Sequence, residues 1–85
     1  AFMGVGTELR EEGGLLVKVV GEMSPAEKAG IKVGDVILKM DGEKVEAKDA
    51  FSAAIKEYKV GDKVTLGILR DDEEIEVEVE LGEKK

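Results

Sequence analysis

SPAEKAGIKVGDVILKMDGEKV, residues 24–45, places a capped helix, two glycine-dependent turns, a buried strand and a further turn within twenty-two residues. Ser24 can cap a helix through its hydroxyl, Pro25 suits the first helical position, and Glu27 completes an S-x-x-E capping box. The helix runs only about one and a half turns, because Gly30 is placed to leave it in the left-handed conformation. Gly34-Asp35 makes a second turn, and Val36-Ile37-Leu38 reads as a strand buried on both faces. Asp41-Gly42 closes a tight turn of the kind that needs positive φ.

The flanks extend this pattern in both directions. Residues 2–9 read as a first strand interrupted by Gly4 and Gly6, and Glu11-Glu12-Gly13-Gly14 as a polar hairpin connection. Residues 15–20 form an apolar strand ending at Gly21. Apolar residues at 50, 51, 54, 55 and 58 predict a longer helix over residues 48–59, which Val60-Gly61-Asp62 ends. Val64, Leu66 and Ile68 then alternate along a strand over 63–70, and Asp71-Asp72 makes a turn. From 74 to 81 the alternation is strict, with Ile75, Val77, Val79 and Leu81 inward and four glutamates outward. The expected fold is a small α+β domain: a partly open β-barrel or sandwich of five to six strands capped by two helices. It forms one domain over residues 1–85, expected to be excised from a larger protein.

Composition narrows the chemistry. The 85 residues include no cysteine and no histidine, which removes disulfides, thiolate metal sites and the commonest general base. Ser24 and Ser52 are the only serines, and neither has a histidine to activate it. No D-x-D-x-D-G calcium loop is present. The chain is therefore expected to hold no catalytic residue, cofactor or metal, and to act on no small-molecule substrate. A net charge of −7 argues against a nucleic-acid partner, and Phe2, Phe51 and Tyr58 are too few aromatics for a base-stacking platform. No apolar run approaches the ~20 residues of a membrane span. Asn, Gln, His, Cys and Trp are all missing while Glu and Lys abound, a balance expected of a heat-adapted protein or of a consensus-designed one.

The 24–45 run closely resembles the pattern SPA-x-x-AG-(Leu/Ile)-x-x-GD-x-I-x-x-(hydrophobic)-(Asn/Asp)-G of PDZ domains, in the circularly permuted form attached to bacterial proteases. These include the HtrA/Deg serine proteases, the C-terminal processing proteases and the site-2 membrane proteases. The resemblance covers nearly the whole chain, with Phe2-Met3-Gly4-Val5 HtrA-like and the Glu-Gly-Gly hairpin also similar to the processing proteases. It implies a module that captures extended, C-terminal peptide ends by strand addition, in a parent that is a cell-envelope or periplasmic protease. Phe2, Met3, Gly4 and Val5 would form the carboxylate-binding loop, whose converging backbone N–H groups hold an anion without a basic side chain. Gly6, Thr7 and Glu8 would pair with the peptide along the strand edge. Met3 and Val5 would floor the pocket for its last side chain, bordered by Ser52 and Ile55, with Lys48 at the position that often reads the third-last residue. Phe51, Ala54 and Tyr58 would face the core from the neighbouring stripe. An apolar last residue and a weak or acidic leaning two positions upstream are expected. Loss of binding after Gly4→Val, with stability roughly retained, would favour this peptide-groove reading.

Two further readings stand beside this one. The domain can be a structural or docking spacer that binds no peptide. KVGDVILKMDGEKVEA also superficially resembles the biotinyl/lipoyl carriers, in which a lysine such as Lys39 would occupy an exposed turn. The stripe of Glu74, Glu76, Glu78 and Glu80 reads as a solvated strand face, with Lys39, Lys63 and Arg70 able to pair with it.

Overall fold

A computed structural model describes residues 2–82. In chain order they form β1 (Val5–Leu9), β2 (Leu15–Val20), α1 (Pro25–Ala29), β3 (Val36–Met40), β4 (Glu43–Lys44), α2 (Lys48–Glu57), β5 (Lys63–Arg70) and β6 (Glu73–Glu80). All pairings are antiparallel, in the order β1-β2-β3-β5-β6 with β4 beside β3. Phe2, before β1, bridges Gly82, after β6, through hydrogen bonds of 2.8 and 3.1 Å. The two ends of the sheet therefore approach one another, and the result is the expected open barrel with two helices.

The local chemistry of residues 24–45 works largely as its residue types dictate. Ser24 has extended backbone angles, and its hydroxyl accepts from the Glu27 N–H at 3.2 Å. The Glu27 carboxylate accepts from the Met23 N–H at 2.9 Å, one residue earlier than a standard capping box. Gly30 ends α1 at φ 94°. Asp41 and Gly42 both have positive φ, which gives the primed two-residue turn whose twist matches a hairpin. Asp71 and Asp72 make the same turn without glycine, at φ 51° and 63°.

Inward side chains from the whole sheet meet in one core. Leu15, Val17, Ile37, Val64, Leu66, Ile68, Val79 and Leu81 are fully buried. Glu74, Glu76, Glu78 and Glu80 are exposed, and two of them pair with lysines across the strand: Lys39–Glu74 at 3.7 Å and Lys63–Glu78 at 3.8 Å. Arg70 does not join them. Its guanidinium grips Asp35 with two hydrogen bonds, 2.9 and 2.6 Å, and also donates to the Gly30 carbonyl at 2.9 Å. Lys39 lies inside β3, opposite Lys44 and Gly67, with the Asp41-Gly42 turn beyond it. That is not the turn-tip position a carrier lysine needs.

Two elements are shorter than their patterns predict. The first strand starts at Val5, because Gly4 at φ +90° breaks the extended run. The second helix stops at Glu57, and Tyr58 turns out to extended angles. Its hydroxyl donates to the Asp41 carboxylate, whose other oxygen accepts from the Thr65 N–H at 2.9 Å. Asp62 accepts from the Lys59 N–H at 2.8 Å and closes the following turn.

The bond to Asp41, together with burial and nearby acidic groups, pushes the Tyr58 phenol up to about 12 from 10.0. Tyr58 is the only tyrosine and the chain has no tryptophan, so phenolate absorbance reports this group alone. The fold favours the neutral phenol, so this contribution is complete below pH 10.0 and is lost as pH rises towards 12. A spectroscopic titration is expected to give a midpoint near 12 in native protein and near 10 in denaturant, and Asp41→Asn should lower the native value. A native midpoint equal to the denatured one contradicts this contact.

Candidate functional site

A cleft of about 250 Å³ opens between residues 2–5 and α2, beside the sheet edge formed by β1. Phe2, Met3, Gly4, Val5, Phe51, Ser52, Ile55 and Lys56 line it. Larger concavities elsewhere are walled by charged groups, and one of about 320 Å³ beside Tyr58 carries only the acidic Asp41, Glu43 and Glu57. Another of about 320 Å³ includes Lys39, Glu74 and Glu76, and one of about 330 Å³ includes Glu12, Lys44 and Glu46. The smaller cleft is the one that joins apolar side chains to unpaired backbone.

The loop is fixed from behind. Phe2 pairs with Gly82, the Met3 carbonyl accepts from the Ala26 N–H at 2.9 Å, and the Gly4 carbonyl accepts from the Gly21 N–H at 2.8 Å. Gly4 also lies against the cap of α1: a Cβ on it would sit 2.3 Å from Ser24 Cβ and 2.8 Å from Ser24 Oγ. Glycine is therefore required by the protein's own packing, and Gly4→Val cannot leave stability roughly unchanged. Among the described residues, the N–H groups of Met3 and Gly4 meet no acceptor.

The Gly21-to-Gly4 bond makes Val5 and Val20 a non-hydrogen-bonded pair. The Val5 N–H and C=O accordingly point away from β2, towards the open edge. The register shifts between Gly6 and Thr7, opposite Val19 and Val17, so Lys18 is the extra residue of a bulge. Thr7 is buried, on the same face of β1 as Val5, while Glu8 is exposed and pairs with Lys18 at 3.5 Å.

On the other wall, Ser52 is exposed and Ile55 is 7 % exposed; beneath them Met3 is 3 % exposed. The structure thus brings together all four loop residues with Ser52 and Ile55. Lys48 stands exposed at the first position of α2 and is not among the residues lining this cleft. Phe51 serves both the core and the cleft wall. Lys56 is the lining residue that the helical stripe of residues 48, 52 and 55 left out, although its i+4 spacing from Ser52 places it on the same side.

A groove with one wall of open strand edge and another of helix, with a loop at one end whose Met3 and Gly4 amides meet no acceptor among the described residues, defines a class of small antiparallel-sheet domains with a free edge beside a helix. The family model described as "PDZ domain" matches residues 1–81, and the chain belongs to that family. It is 39 % identical over 87 residues to the periplasmic serine endoprotease DegP of Escherichia coli strain K12, an alignment that covers 91 % of this chain and 18 % of that protein. Among solved structures it resembles the HtrA-type protease AlgW with decapeptide, at TM-score 0.90 and 23 % identity, over 99 % of this chain and 29 % of that one. The HtrA3 PDZ domain bound to a phage-derived ligand, FGRWV, matches at TM-score 0.83 and 19 % identity over 93 % and 82 % of the two chains.

Proposed function

We propose that this domain captures extended C-terminal peptide ends by adding them as a strand to the open edge of β1. The observation that carries the reading is the alignment of the outward Val5 backbone with the amides of Met3 and Gly4 at the mouth of an apolar cleft. The amides would hold the terminal carboxylate, the β1 edge would supply sequence-independent hydrogen bonds, and the cleft would take the last side chain. About 250 Å³ is below the usual range for a drug-sized ligand, which suits one aliphatic side chain and its carboxylate. The ligand of the HtrA3 domain ends in valine, in keeping with that choice. Lys48, at the open end of α2, would favour an acidic residue two positions upstream.

By likeness to DegP, the parent is a serine protease of the cell envelope, and the domain tethers substrate to it or regulates it. Titration of the 85-residue chain with labelled peptides ending in Val, Leu, Ala and Asp tests the groove. The expected order places the aliphatic ends first and Asp last. Preference for Asp would overturn the pocket assignment, and no binding by the folded chain would favour a docking spacer instead.

A further inference from the structure

Seven of the eight residues lining the cleft are uncharged, and the eighth is Lys56. An anion entering this site meets two opposing fields. The chain carries a net charge of −7, and the cleft runs along α2 from Phe51 to Lys56, into its last turn, where the C-terminal end bears partial negative charge. Backbone amides alone would have to offset both. Lys56 stands in the last turn of α2, where a cation also complements the helix end. Lys18, Lys39 and Lys63 are each paired with a glutamate, whereas among the described residues no carboxylate lies within 4.0 Å of the Lys56 ammonium.

We propose that Lys56 is a specificity-determining residue of this cleft, selecting ligands that end in a free carboxylate over those that are amidated or continue as internal chain. This rests on the peptide-capture reading and deepens it. The ammonium adds a side-chain cation to the amide loop, so recognition of the terminal charge is shared between backbone and Lys56. Its long, flexible stem lets the charge follow the carboxylate without fixing the aliphatic side chain beside it.

The test uses the 85-residue chain and its Lys56→Gln and Lys56→Arg variants. The probe is the tightest-binding peptide of the Val, Leu and Ala series, made as free acid and as C-terminal amide. Each is titrated at about 0.02 M and about 0.2 M salt. Lys56→Gln is expected to weaken the free acid about fivefold, leave the amide unchanged and flatten the salt dependence, while Lys56→Arg keeps the acid preference. An unchanged acid-to-amide ratio in Lys56→Gln would overturn the proposal while leaving peptide capture intact. Equal weakening of acid and amide would also overturn it, assigning Lys56 a packing role. If the folded wild-type chain binds none of the peptides, peptide capture falls and the role of Lys56 falls with it.

Discussion

Arg70→Leu is expected to destabilise the domain by about 3 kcal/mol, a large share of what a chain this small possesses. Asp35 is 3 % exposed, and its partners are the Arg70 guanidinium, at 2.9 and 2.6 Å, and the Lys32 N–H at 3.0 Å. Removing the guanidinium leaves a buried carboxylate with one donor. The Arg70 side chain is 30 % exposed, so solvent enters part of the site and the cost should not exceed that figure. A fall in Tm of roughly 10–20 °C is expected.

The pH dependence gives the mechanism a second signature. Burial pushes the Asp35 carboxyl up, but the Arg70 hydrogen bonds, the Lys32 amide and the nearby positive charges outweigh it, and the group sits below 3.8. Its contribution to stability is present above pH 3.8 and is lost as pH falls through the lower native value. Without Arg70 burial dominates, the native value rises above 3.8, and this contribution then diminishes as pH rises. Wild type and Arg70→Leu should thus show opposite slopes for this group when stability is followed by denaturant melts across the acid range. Arg70→Lys, which keeps charge but not the two-pronged grip, should fall between them. Parallel curves for wild type and Arg70→Leu would contradict the account.

Gly4→Ala is the second large effect, expected to cost about 2–4 kcal/mol and to abolish peptide binding. Two strains coincide there. The backbone sits at φ +90°, which side chains rarely adopt, and the new Cβ would meet Ser24 Cβ at 2.3 Å. Relief requires the loop or the start of α1 to move, and both moves disturb the amides of Met3 and Gly4. Ser24→Gly alone should remove the cap at a cost of only a few tenths of a kcal/mol. Combined with Gly4→Ala it should recover part of the lost stability, because the closest contact is gone. Chemical denaturation of the four proteins measures that coupling, and strict additivity would exclude the contact.

The same contact shows what could be read before the fold was known. Ser24, Pro25, Glu27 and Gly30 announce α1 through chemistry that acts within a few residues, and Asp41-Gly42 announces its hairpin likewise. The alternation from Val64 to Ile68 and from Ile75 to Leu81 fixes which faces are inward, because period two leaves one face for the core. Long-range partnerships leave no such mark. Nothing local in Gly34-Asp35 says that its carboxylate is held by an arginine thirty-five positions later. Nothing near Gly4 says that its missing side chain makes room for Ser24. Tyr58 ending α2 early likewise depends on Asp41, seventeen residues away. Within the candidate site, family likeness pointed to the loop of residues 2–5 and helical spacing to Ser52 and Ile55, and Lys56 follows from its i+4 spacing from Ser52. Lys48 shares the i, i+4, i+7 stripe of Ser52 and Ile55, yet one turn nearer the helix start it stands outside the cleft lining.

The most direct test of strand capture is residue-resolved amide NMR on the 85-residue chain, free and with a peptide ending in an aliphatic residue. Binding is expected to shift the amides of Met3, Gly4 and Val5 most, to continue along β1 to Leu9 and across Ser52, Ile55 and Lys56, and to slow exchange of the Val5 amide. Shifts confined to the glutamate face of β6, or binding that leaves Met3, Gly4 and Val5 unmoved, would contradict it.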